Sequence, residues 1–141
     1  MTTSIEKSEL CTELQELYLK SKEWISELEF QHDDMIFVKR LYEIDSTLHT
    51  QQKQIDDASE MLTWATKIED EKSRLKTQII DFMNLLGSLI KIPDPAIDYK
   101  LVLWYSKIEI DLHANAEDFR LYKSRVFYGA GEPADKFYAG N

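Results

Sequence analysis

WISELEFQHDDMIFVKRLY, residues 24–42, decides how many helices this chain builds. Trp24, Leu28, Gln31, Met35, Val38 and Tyr42 recur three or four residues apart, the spacing that lines up one face of an α-helix. Around Phe30, Ile36, Phe37 and Leu41 the apolar surface widens beyond that stripe. Either one unbroken helix is covered by more than one neighbour, or the helix breaks near residues 31–34. No glycine or proline interrupts the stretch, which favours continuity.

Working back from Trp24, the stripe continues through Ser21, Leu17, Leu14 and Leu10, and Thr3 with Glu6 fits a capping box. The first run therefore extends from about Ile5 to Leu48. Asp45-Ser-Thr-Leu-His-Thr-Gln-Gln contains no Pro or Gly, so the first reversal is weakly marked and is expected at 46–52. A second run, Lys53 to Lys91, places Ile55, Leu62, Ala65, Ile68, Leu75, Ile79, Phe82, Leu86 and Leu89 on its stripe. Pro93-Asp94-Pro95 stops that run and starts another, with Asp94 as N-cap and Pro95 at the first helical position. The third run, Pro95 to Tyr128, carries Leu101, Tyr105, Ile108, Leu112, Phe119, Tyr122 and Val126, and Gly129 and Gly131 end it.

The predicted fold is all-α: an elongated antiparallel bundle of three long helices, with a four-helix bundle as the alternative if the first run breaks. At 1.5 Å per residue the runs would be roughly 65, 58 and 50 Å long. The expected organisation is one helical domain over residues 1–128 and a C-terminal tail over 129–141, where Phe137 and Tyr138 could dock on the bundle or on a neighbour. A chain of 141 residues suits one domain that buries about 68% of its unfolded surface.

Charge narrows the partners. The chain holds 26 acidic and 17 basic residues, a net −9, with 11 acids against 5 bases in residues 1–50. Nucleic acid and anionic membranes both call for a basic footprint, so neither is an expected partner. The most apolar stretch, Ile79 to Ile92, is too short to span a bilayer and is interrupted by Asp81, Asn84 and Lys91. The opening MTTSIEKSELCTEL has no apolar signal-peptide core, and the single Cys11 excludes an internal disulfide; both suggest a cytoplasmic, reducing setting.

No segment names a reaction. Gly-rich phosphate loops, CxxC, HExxH and GxSxG are all absent from the sequence. Glu29-x-x-His32 has the glutamate-to-histidine spacing of carboxylate-bridged metal bundles, though it occurs once. If the helices fold back at about 49 and 93, residue 32 lies level with about 66 and 120. Glu29, His32, Glu69, Glu109 and His113 could then meet and bind iron, manganese or zinc. The simpler account is that these are solvated or edge residues, since acids at helical spacing are frequent in so acidic a chain. Asp33-Asp34, Asp56-Asp57 and Glu69-Asp70-Glu71 are sequential, point in different directions, and read as surface charge.

The aromatic supply is more informative. Three tryptophans, seven tyrosines and six phenylalanines are generous for a thin bundle. Around IIDFMNLLGSLI, residues 79–90, apolar side chains point to nearly every side, and Gly87 would permit a close helix approach. Neighbouring helices and the tail could cover this surface, or another chain could. The leading expectation is a non-enzymatic interaction or structural protein that self-associates or binds a protein partner. Ile79, Phe82, Met83, Leu86, Ile90 and Trp104 are its candidate interface, and a small metal-binding helical protein is the alternative.

Overall fold

The computed structural model describes residues 4–47, 52–92 and 98–128, with side chains over 9–44, 57–92 and 99–128. Helix α1 runs Ser4–Thr47, α2 Gln52–Lys91 and α3 Asp98–Tyr128, and the described residues form no strand. The fold is an all-α bundle of three helices. α1 passes through residues 31–34 without interruption, which removes the four-helix alternative. Its continuity follows from 44 residues free of Gly and Pro, whose 3–4 stripe is buried or half-buried from Leu10 to Tyr42.

The reversal expected at 46–52 is bracketed by Thr47 and Gln52. The Thr3 cap, the Pro93–Pro95 turn, the glycine stop and the tail residues Phe137 and Tyr138 lie outside the described residues.

The chain divides into two compact units, and each helix contributes to both. Unit 1 comprises residues 1–29 and 73–112. Its core joins Leu14, Trp24 and Leu28 of α1 to Leu75, Ile79, Phe82, Leu86 and Leu89 of α2 and Leu101, Ile108 and Leu112 of α3. Aromatic rings tie the three helices: Trp24 lies 4.8 Å from Tyr105, and Phe82 meets Trp104 edge-on at 5.4 Å. Ser21 is fully buried yet satisfied, its hydroxyl donating to the Leu17 carbonyl at 2.8 Å.

Unit 2 comprises residues 30–72 and 113–141, and its described core is smaller and softer. It packs Met35 and Val38 against Met61, Ala65, Ile68, Phe119 and Tyr122. Within this unit the pairings fix direction. Tyr42 meets Asp57, Lys39 meets Glu69 and His32 meets Lys72, so α2 runs antiparallel to α1. Gln31 meets Asn115 and Asp34 meets Lys123, so α3 runs parallel to α1.

Two local expectations are corrected. Leu62 is 62% exposed and its neighbour Met61, at 1%, takes the core position. Nothing approaches within 4 Å of a Cβ built on Gly87, so no close helix approach requires that glycine.

Candidate functional site

Several polar side chains of unit 2 pair with one another. Asn115 is buried; its amide nitrogen donates to the Ile68 carbonyl at 3.2 Å, and its oxygen accepts from Gln31 at 2.9 Å. One residue from each helix thus joins a closed polar layer, which satisfies groups that would otherwise be desolvated without partners. Nearby, Lys72 is also buried, and its ammonium lies 3.2 Å from His32 Nδ1. Burial lowers the Lys72 pKa, opposed by the negative charge of Glu69.

A second cluster centres on Asp57, which accepts from the Tyr42 hydroxyl and the Arg125 guanidinium, each at 2.5 Å. Burial, followed by that Asp57 hydrogen bond, raises the Tyr42 pKa well above the ordinary phenol value. Trp64 donates its indole proton to Asp118 at 2.8 Å and packs edge-on against Tyr122.

The residues considered for a metal take other partners. Glu29 lies 3.6 Å from Lys76 in unit 1, and Glu109 raises the pKa of Tyr105, after the larger effect of burial. In unit 2, His32 faces Lys72 rather than the level of residue 66, Glu69 pairs with Lys39 at 3.2 Å, and His113 is exposed. Among the described residues, no three His, Cys, Asp or Glu side chains are grouped so as to hold a metal ion. Long lysine stems reach more than a helical turn along the bundle, and such reach is invisible to a level-by-level estimate.

The six candidate interface residues belong to the core of unit 1 and its margin. Ile79, Phe82 and Leu86 are fully buried inside the chain, and Met83, Ile90 and Trp104 are half-buried against them. The apolar surface that does face water lies elsewhere. On α3 of unit 1, Tyr99, Val102, Leu103 and Ile110 are exposed on the side opposite Leu101, Ile108 and Leu112. On α1 of unit 2, Phe30, Phe37 and Ile44 are 75%, 57% and 62% exposed, on the side away from Met35 and Val38. Both segments carry large apolar side chains on the outer side as well as on the core face. The signal was present in the sequence as the widening at Phe30, Ile36, Phe37 and Leu41.

No described helix is long and apolar enough to cross a membrane. No protein-family model, no curated protein and no solved structure matches the chain.

Proposed function

We propose that this chain is a non-enzymatic helical interaction protein of the cytoplasm that assembles with further copies of itself through the outer faces of its helices. The observation behind this reading is the exposure of large apolar side chains opposite each core, on α3 at Tyr99, Val102, Leu103 and Ile110 and on α1 at Phe30, Phe37 and Ile44. Solvated helices of monomeric proteins put polar residues there, because exposed apolar area costs about 25 cal/mol per Å² relative to burial. The net charge of −9 keeps such a chain soluble between associations and disfavours nucleic acid.

Sedimentation equilibrium over a wide concentration range tests the reading. Assembly into a discrete multiple of the 16.6 kDa chain is the expected result. A strict monomer that also binds no apolar dye would overturn it.

A further inference from the structure

We infer that unit 2 pairs with a second copy of itself through an antiparallel α1–α1 contact centred on Phe37; this rests on the self-association proposed above. Phe30, Phe37 and Ile44 are seven residues apart, the repeat that keeps one seam facing a partner helix over successive turns. With half-buried Leu41 at their side, they form one exposed apolar strip along α1, and Ile36 lies about 100° round the helix from it. Phe30, Phe37 and Ile44 leave on the order of 350 Å² of side chain in water, judged from the area a large apolar group buries. A standard interface buries about 800 Å² per partner, of which roughly 500 Å² is apolar in homodimers. The strip therefore supplies most of what one side of a stable dimer needs.

Charge selects the occupant and its direction. In an antiparallel pair with the two-fold axis at Phe37, Phe37 meets its own copy and Phe30 meets Ile44. Arg40 then comes beside Asp33 of the second copy, which shares its flank of the strip, whereas Asp34 lies on the other flank and is held by Lys123. Arg40 is exposed and makes no ion pair among the described residues, and Asp33 is exposed next to it on the strip's edge. In a parallel pair, Arg40 would face Arg40 and Asp33 would face Asp33. Like charges across a helix pair work against association, so the antiparallel arrangement is the one these residues favour.

Cross-linking in a Cys11→Ser background tests the contact. Two chains are made, one with Phe30→Cys and one with Ile44→Cys, and both are checked for helicity by circular dichroism. Copper-phenanthroline oxidation should link them when mixed and leave each alone mostly unlinked, since like positions would lie about 21 Å apart along the pair. In parallel, Arg40→Asp should weaken dimerisation by at least about tenfold, and adding Asp33→Arg should restore it. Linking of Phe30→Cys to itself overturns the antiparallel contact. A dimer that forms normally in Arg40→Asp and gives no mixed cross-link overturns this face, while leaving self-association standing. A chain monomeric at every concentration overturns both.

Discussion

Asn115 is the residue on which unit 2 converges, because its amide touches α1 through Gln31 and α2 through the Ile68 carbonyl. Replacing it by alanine removes both bonds at once, so half-buried Gln31 loses its partner and the Ile68 carbonyl keeps its helical bond alone. The expected loss is about 2–3 kcal/mol, read as a lower urea midpoint. Gly87 has the opposite character: a helix-interior glycine with open space around its Cα. Gly87→Ala should raise stability by about 0.5–1 kcal/mol, since helix propensity improves and no neighbour must move. Tyr122 sets an alkaline limit. Burial pushes its pKa up to about 12, against 10.0 for the free phenol, and Tyr42 and Tyr105 shift the same way. A raised folded pKa means this stability is fully present below pH 10 and is lost as pH climbs through 12. Lys72 acts oppositely, because its lowered folded pKa relieves a burial penalty as pH approaches 10.5. Tyr122→Phe should therefore flatten the fall in urea midpoint between pH 10 and 12.

At the scale of the element, each helix is held by the apolar stripe on its core face and steered by a few polar ties. Phe82 is fully buried on α2 and touches rings of α3, so Phe82→Ala should cost about 3–5 kcal/mol by thermal or urea unfolding. Much of this was legible in the sequence. The α1 stripe from Leu14 to Val38 faces the core as its spacing predicts, with Leu17 and Gln31 half-buried and polar Ser21 and Gln31 kept on it by hydrogen bonds. The miss at Leu62 arose where Met61 and Leu62 are adjacent and both apolar, so periodicity offers two registers and only packing chooses. Around the six interface candidates, inner and outer faces were hard to separate for a related reason. IIDFMNLLGSLI is apolar all round, and the three-helix packing buries Ile79, Phe82 and Leu86 while leaving Ile80 partly in water. The pairing of Gln31 with Asn115 was beyond reach, because it depends on the register between helices and no local pattern encodes that register.

For the whole molecule, the candidate metal ligands are distributed over two units and engaged with lysines, Tyr105 or solvent, so exhaustive chelation should leave the melting temperature unchanged. Differential scanning calorimetry with and without EDTA measures this; a drop would revive a His/carboxylate site. The division of the chain into two cores has an optical consequence. Trp24 and Trp104 belong to unit 1, and Trp64 is the tryptophan of unit 2, its indole hydrogen-bonded to Asp118 beside the Tyr122 ring. A chain with Trp24 and Trp104 replaced by phenylalanine emits from unit 2 alone, and one with Trp64 replaced emits from unit 1 alone. The red shift of each emission on denaturation then times the opening of each core separately, so the native indoles serve as built-in lamps for the two halves.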